Sequence, residues 1–489
     1  MGLFDNELRY GERPLAIDDQ GRTASSQELD AFSGELYEKT GGKKLIFILC
    51  ENTLESLFGY LGSLKTGIVP LMLESHIHQE LLEGLIKEYH PSFLYVPDTW
   101  ADRIKDCEVV WKYGGYCLCS RNEKQPPSLY SELALLLTTS GSTGSPKLVR
   151  QSKANIVSNA GSIACYLEID RDERPVTTLP MNYTYGLSII NSHVLKGATL
   201  LLTSYGVIER PFWDFAKEMR ATSIAGVPYT YQILKRIGMM DMELPDLKTM
   251  TQAGGKLPLN LHREFALYAE QTGKKFVVMY GQTEATARMG YLPASRSLEK
   301  CGSMGIAIPG GSFWLEDDQG NRIMEPDTQG ELVYQGENVA LGYACGRDDL
   351  IKEDEWKGVL HTGDMARRDS DGYYYITGRK KRFIKIFGNR INLDEVERLL
   401  KERYEGTDFA CVGIDDCLRI FTDFRQPDAG EQVLDYLYQV TGIGARAVRV
   451  RCLDQIPKNE SGKTLYKELE AKAEDGSYTG EKGSLCGEF

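Results

Sequence analysis

Leu45-Ile-Phe-Ile-Leu-Cys50 is a run of apolar residues with no polar alternation. A strand with one wet face alternates, so a continuous run of this length is a strand covered on both faces. Covering both faces requires helices above and below, and the chain supplies them. Asn52 and Thr53 can cap a helix in which Leu54, Leu57, Phe58 and Leu61 recur at helical spacing. Gly67 ends that helix, Ile68-Val-Pro-Leu-Met72 starts a second strand, residues 78–89 repeat the helical pattern, and Phe93-Leu-Tyr-Val96 is a third strand. This βαβα order predicts an α/β fold with a mostly parallel, doubly wound sheet.

The same grammar returns further along. Strands are expected at Thr199–Leu202, Ser223–Val227, Thr249–Gly255 and Phe276–Tyr280, with helices near residues 212–220 and 259–272. Two doubly wound sheets result. Residues 302–377 read as short strands with turn signals such as Asp317-Asp-Gln-Gly320, a small β-barrel-like subdomain. A basic stretch, Gly378-Arg-Lys-Lys-Arg-Phe-Ile-Lys385, follows. Beyond it lies a small α+β piece with helices near 394–402 and 431–440 and strands near 409–414, 418–422 and 447–451. The expected divisions are 1–378, a connector at 379–385, a small C-terminal domain at 386–470, and a frayed Gly/Glu/Lys/Ser tail at 471–489. A length of 489 residues suits several cores better than one.

Charge and cysteine usage narrow the function. There are 57 Lys and Arg against 70 Asp and Glu, a net charge of −13. Duplex nucleic-acid binders carry a basic face, so a nucleic-acid partner is not expected. The longest uncharged stretch, residues 176–195, contains Pro180, Asn182, Thr184 and Asn191, and reads as buried strand and turn, not a membrane span. The N-terminus has early acids and no apolar signal core, and Asn6 breaks the myristoylation pattern. The 11 cysteines have no paired Cys-x-x-Cys or Cys/His cluster, so a zinc site or disulfide framework is not expected; reduced thiols of a cytoplasmic protein are.

Four segments carry chemistry. In Leu135-Leu-Leu-Thr-Thr-Ser-Gly-Ser-Thr-Gly-Ser-Pro-Lys147, an apolar strand runs into glycines and hydroxyls and ends on a lysine. Inward backbone N–H groups, hydroxyl donors and a mobile positive charge suit a polyphosphate. The P-loop spacing is absent, because Pro146 precedes Lys147 and Leu148 follows it. A plain Ser/Gly surface loop is the other reading. Tyr280-Gly-Gln-Thr-Glu-Ala-Thr286 follows an apolar strand, where ligands of a parallel sheet collect. Tyr280 can stack on a base, and Thr283 and Glu284 can hold Mg²⁺ on phosphate oxygens; the plainer alternative makes Thr283 a helix cap. In His361-Thr-Gly-Asp364, the aspartate can accept two ribose hydroxyls, and Arg379 can reach a hydroxyl or phosphate. Pro457-Lys-Asn-Glu-Ser-Gly-Lys463 is a polar loop whose lysine, taken alone, is ordinarily solvated.

Together, in this order and at these intervals, the four segments resemble the acyl-adenylate-forming superfamily: acyl- and aryl-CoA synthetases, peptide-synthetase adenylation domains and luciferases. The resemblance runs from Leu45 to Lys467. It implies a large N-terminal domain binding ATP and a carboxylic acid, and a small mobile C-terminal domain that closes over them. It places Thr139, Ser140, Gly141, Ser142, Thr143, Gly144 and Lys147 on the β- and γ-phosphates. Gly254, Gly255, Tyr280, Gly281 and Gln282 fall on the adenine side, and Thr283 and Glu284 at the α-phosphate and Mg²⁺. Asp364 and Arg379 match ribose contacts, and Lys463 the lysine bridging acyl carboxylate and α-phosphate. Lys381 takes the hinge position, and Lys385 and Gly388 the passage for a pantetheine arm, otherwise read as part of a solvated basic linker. The implied reaction makes acyl-AMP and pyrophosphate, then a thioester with CoA or a phosphopantetheinyl carrier protein. An amine acceptor and a catalytically silent relative are the alternatives.

The chain departs from the family in one stretch. Asn182-Tyr183 stands where acyl-CoA ligases often carry an aromatic–His pair, and the aspartate of α-amino-acid-activating domains is absent. Tyr183, Gly226 and Arg288 are candidates for the acid pocket. Arg288 can meet a second acidic group on the substrate; its plainer reading is a helix-surface arginine.

Overall fold

The computed structural model describes residues 10–474 apart from 122, 124–125, 139–146, 381, 387–388, 427, 442 and 460–461. The chain divides into two compact units. One holds the described residues up to Phe313 together with Val333–Leu360; the other holds Trp314–Leu332 and the described residues from His361 onward.

In the first unit an eight-stranded sheet has the order Gly342–Ala344, Leu148–Ser152, Leu133–Thr138, Val69–Glu74, Leu45–Cys50, Phe93–Pro97, Tyr116–Ser120, Glu108–Tyr113. Leu45–Cys50 divides its side chains between two cores, as a doubly covered strand must. Ile46, Ile48 and Cys50 pack in one cluster with Leu57, Leu61 and Phe32. Leu45, Phe47 and Leu49 pack in another with Leu82, Leu85 and Tyr89. The helices Leu54–Thr66 and Gln79–Tyr89 supply those covers. The four central strands pair in parallel. Strands Leu148–Ser152, Gly342–Ala344, Tyr116–Ser120 and Glu108–Tyr113 add antiparallel pairings at the two sides.

A second sheet runs Ser223–Gly226, Thr249–Gln252, Lys275–Tyr280, Gly290–Tyr291, Ile306–Ala307; its first three strands are parallel. Leu200–Leu202, expected in that sheet, instead pairs with Ala16–Asp18 in a separate three-stranded sheet. Residues 176–195 also differ from the sequence reading. Val176 makes a single parallel bridge to Leu201, but Thr184–Lys196 is an α-helix. Its polar side chains suggested a turn, but they are satisfied in the helix: Ser188 and Ser192 donate to the carbonyls of Tyr185 and Ile189 within it, and Asn191 accepts from Tyr60 of helix Leu54–Thr66 at 2.9 Å. Leu187, Ile190 and Val194 make the buried stripe.

A five-stranded sheet, most of whose residues fall in the second unit, is ordered Arg322–Ile323, Gly311–Glu316, Gln329–Gly336, Val359–Arg368, Tyr374–Arg379. The hairpin Phe383–Ile386/Asn389–Asn392 follows. A three-stranded sheet, Phe409–Ile414, Cys417–Thr422 and Val448–Cys452, then packs with helices Leu393–Arg403 and Ala429–Thr441. Helix Tyr466–Glu474 runs past residue 471, where the tail was expected to start, because Ala473 is buried beside Ala410, Phe421 and Leu469. Among the described residues, no helix is long and apolar enough to cross a membrane.

Candidate active site

Strand Lys275–Tyr280 ends in a closed loop. Met289 N–H bonds the Tyr280 carbonyl at 2.9 Å and Ala287 N–H the Gln282 carbonyl at 3.2 Å. Between them Thr283–Ala285 is one 3₁₀ turn, capped at Gln282, so Thr283 is not the cap. The closure requires a glycine at 281: a Cβ there would lie 1.5 Å from the Ala287 carbonyl oxygen. Thr286 and Ala287 take positive φ, 55° and 113°, conformations that persist only where the surroundings over-determine them. Three buried amides do so. Gln151 donates to the Thr283 carbonyl at 3.1 Å, Asn159 to the Arg288 carbonyl at 2.8 Å, and Asn338 to the carbonyls of Ala285 and Arg288 at 2.8 and 2.9 Å. The loop therefore presents Thr283 and Glu284 from a braced frame.

Glu284 meets a partner from far along the chain. The Tyr343 hydroxyl donates to Glu284 Oε1 at 2.7 Å, and Lys147 Nζ sits 3.6 Å from the centre of the Tyr343 ring. One phenol thus holds a cation against its face and a carboxylate at its edge. Burial, and then the Glu284 charge, push the Tyr343 phenol up, so it stays a donor. Thr139, Ser140, Gly141, Ser142, Thr143 and Gly144 lie outside the described residues; Lys147 is exposed just beyond them.

The acid-pocket candidates converge elsewhere in the same unit. Gly254 follows strand Thr249–Gln252 with φ 83°, and a Cβ on it would fall 2.6 Å from the Tyr183 hydroxyl. Gly255 packs on Pro228, and its carbonyl accepts from Gln252 at 3.0 Å. Gly226 closes strand Ser223–Gly226 against Thr230 and Tyr231. Arg288 is not a helix-surface residue: it is 3 % exposed, and its guanidinium lies 3.7 Å over the Tyr185 ring. Burial pushes the Tyr185 phenol up to about 12, with the Arg288 charge opposing. Tyr183 is raised for the same reason.

In the second unit the two ribose candidates face each other. Asp364, 4 % exposed, is the Cα partner of Arg379 across antiparallel strands. Arg379 Nε lies 3.1 Å from Asp364 Oδ1, and the Arg379 N–H bonds Asp394 at 2.8 Å. Lys463 closes a tight turn: its N–H donates to Asn459 Oδ1 at 2.8 Å, and Asn459 N–H to its carbonyl at 2.9 Å. Lys381 and Gly388 lie outside the described residues, and Lys385 is on strand Phe383–Ile386. The basic run is not uniformly solvated: Arg382 is largely buried, ion-paired to Glu397 at 2.5 Å and stacked 3.6 Å from the Tyr466 ring.

The AMP-binding enzyme family model matches residues 9–344, more than half of the chain. The chain belongs to the AMP-binding enzyme family. Feruloyl-CoA synthase from an Amycolatopsis species is 29% identical over 361 residues, 71% of this chain and 72% of that protein. The 2-succinylbenzoate–CoA ligase of Bacillus subtilis (strain 168) is 26% identical over 471 residues, 93% of this chain and 94% of that one. The fold matches the O-succinylbenzoate coenzyme A synthetase from Bacillus subtilis solved in complex with ATP and magnesium ion. The TM-score is 0.77 at 22% identity, over 96% of this chain and 98% of that one.

Within this AMP-binding enzyme, sequence reasoning missed the residues that hold the site. Arg150, Gln151, Asn159, Asn338 and Tyr343 touch the Tyr280 loop or brace strands beside it. One signal was available: buried-looking segments at Leu148–Ser152 and Gly336-Glu-Asn-Val-Ala-Leu-Gly-Tyr343 carry Arg, Gln and Asn among apolar residues. Polar side chains in such segments have partners, but the loop carbonyls that Gln151 and Asn338 bond lie fifty or more residues away in the chain.

Proposed function

We propose that this AMP-binding enzyme is an ATP-dependent acid–thiol ligase. The acid's carboxylate attacks the α-phosphorus of ATP; a new P–O bond forms, the bond to pyrophosphate breaks, and acyl-AMP results. A thiol then attacks the acyl carbon, AMP leaves, and the thiol gives up its proton as the thioester forms. Both curated relatives are named for CoA esters and align over more than two thirds of each chain, which favours CoA as acceptor. A phosphopantetheinyl carrier protein presents the same arm and thiol.

The observation that carries the reading is the Tyr343 phenol holding both Lys147 and Glu284. The first step brings two anions together, so it needs positive charge fixed in advance near the phosphates. We assign that role to Lys147 for the outer phosphates, with residues 139–144. Thr283 and Glu284 fit Mg²⁺: a hydroxyl and a carboxylate, one of whose oxygens is already oriented, are the hard donors it takes alongside phosphates. Bound there, it neutralises phosphate charge. Tyr280, Gly281, Gln282, Gly254 and Gly255 are assigned to the adenine side, and Asp364, restrained by Arg379, to the ribose hydroxyls. Lys463 is assigned the reacting carboxylate, a contribution on the order of 2–4 kcal/mol to the barrier. Residues 379–385 are the proposed hinge between a 1–378 body and a 386–470 lid, with Lys385 and Gly388 beside the pantetheine arm.

The test is direct. Purified protein with ATP, Mg²⁺ and a panel of carboxylic acids should release AMP and pyrophosphate only when an acid is present, and form a thioester when CoA is added. No AMP with any acid overturns the reading. An amide with an added amine and no thioester with CoA replaces the thiol acceptor by an amine.

A further inference from the structure

Three thiols converge at the last two strands of the eight-stranded sheet, on the opposite side of that sheet from Gly342–Ala344. Cys117 and Cys119 are alternate residues of strand Tyr116–Ser120 and so share a face. Both are 0 % exposed, and their sulfurs lie 3.7 Å apart. Cys107 is half-buried just before the paired strand Glu108–Tyr113, and its thiol is hydrogen-bonded by that of Cys119. The register Glu108↔Ser120 sets Cys107 opposite Arg121 at the open end of this hairpin. Two nitrogens of the Arg121 guanidinium, Nε and Nη1, are buried without an acceptor among the described residues.

The direction of the hydrogen bonds gives the three sulfurs different chemistry. Cys117 donates to Cys119, and Cys119 donates to Cys107. The Cys119 bond and the Arg121 charge together outweigh burial and hold the Cys107 thiol below its ordinary value. Cys107 in turn pushes Cys119 up to about 12, and Cys119 together with burial pushes Cys117 up. The thiolate is the nucleophile, so reactivity collects on Cys107, the one member of the three that solvent partly reaches. A second sulfur, still carrying its proton, already touches it. Cysteines that only fill a core are small hydrophobes and need no guanidinium beside them. A metal centre is not the alternative: among the described residues no group of three His, Cys, Asp or Glu side chains is placed to hold an ion.

We propose that Cys107 is a hydroperoxide-reactive thiol and Cys119 its resolving partner. The Cys107 thiolate attacks a hydroperoxide; an S–O bond forms, the O–O bond breaks, and the departing alkoxide takes a proton from water. Cys107 is then a sulfenic acid. The Cys119 sulfur attacks the Cys107 sulfur; the S–S bond forms, the S–O bond breaks, and the hydroxyl leaves as water with the Cys119 proton. The two thiols are oxidised and the hydroperoxide is reduced to an alcohol, or to water when it is hydrogen peroxide. A dithiol reverses the change. Cys107 lies outside the regular strand, so it can make the approach that an S–S bond of about 2 Å requires. This site is independent of the ligase reading.

The test gives graded hydrogen peroxide to reduced full-length protein, quenches with N-ethylmaleimide and reads the peptides by mass spectrometry without reductant. Cys165, Cys345 and Cys452 are exposed and serve as internal standards. Cys107 should be lost at least roughly 10-fold faster than any of them. A peptide linking Cys107 to Cys119 should appear in step and vanish with dithiothreitol. In Cys119→Ser, dimedone should trap Cys107 as the sulfenic acid that the wild type passes on. Loss of Cys107 no faster than the three standards overturns the proposal. So does a bond made to Cys117 instead, or a folded Cys119→Ser protein in which dimedone leaves Cys107 unlabelled. If that variant does not fold, the wild-type rates and the linked peptide decide the matter alone.

Discussion

The hydroxyl of Tyr343 donates to the carboxylate of Glu284 at 2.7 Å, joining two residues 59 positions apart. Tyr343 stands in the middle of the short strand Gly342–Ala344 beside Leu148–Ser152, whereas Glu284 sits in the loop after Lys275–Tyr280. The bond orients a carboxylate that would otherwise rotate, and the same ring holds Lys147. Tyr343 is thus a positioning residue. Tyr343→Phe keeps the ring and removes the bond, so kcat/KM for AMP formation should fall about 10-fold, near the worth of one charge-assisted bond. The Mg²⁺ concentration for half-maximal rate should rise with it. Unchanged Mg²⁺ dependence would detach Glu284 from the metal.

Lys463 and Lys381 separate the two half-reactions. Lys463→Ala should depress adenylation on the order of 10²–10³-fold and spare thioester formation from supplied acyl-AMP. Lys381→Pro, which stiffens the proposed hinge, should do the reverse. Equal damage to one half-reaction by both substitutions would end the alternation of roles.

Glu397 anchors the second unit. Its carboxylate accepts from Tyr466 at 2.8 Å, from Cys411 N–H at 2.7 Å, and from Arg382 at 2.5 Å. Glu397→Ala strips the Cys411 N–H and the Tyr466 hydroxyl of their acceptor and leaves Arg382 with Asp394, at 2.6 Å, as its one carboxylate partner, at a cost of about 3 kcal/mol. Amide exchange in strand Phe409–Ile414 should accelerate on the order of 100-fold, while Leu45–Cys50 keeps its protection. Unaltered exchange at residues 409–414 would show that the ion pair carries no stability.

Burial pushes His193 down to about 4, with Nδ1 bonded to the Ile189 carbonyl at 2.8 Å. At pH 7 both folded and unfolded forms are neutral. As pH falls through the ordinary histidine value near 6.5, the unfolded chain takes a proton that the folded one refuses, until about pH 4. By pH 5 this one residue should remove about 2 kcal/mol of stability. Urea unfolding at pH 7 and pH 5 should therefore show a smaller loss for His193→Gln than for the wild type, by roughly that amount. Equal losses would mean that His193 is protonated in the fold.

Most of the large architecture was legible because it depends on local pattern. An uninterrupted apolar run such as Leu45–Cys50 has only one way to hide both faces, and helix Leu259–Thr272 announces itself by periodicity. Where polar groups are satisfied inside an element, as in Thr184–Lys196, the pattern misleads, since Ser and Asn there signal a turn from composition alone.

The sequence by itself determined the covered strands, the order of the motifs and the residue types that suit ATP chemistry, because each depends on neighbours within a few positions. Only the tertiary structure decided that Tyr343 meets Glu284 and that Asn159 and Asn338 grip the Arg288 loop. The physical reason is that partner choice for a buried polar group is set by which strands and loops the fold makes adjacent. Adjacency between residues far apart in the chain leaves no local periodicity to read.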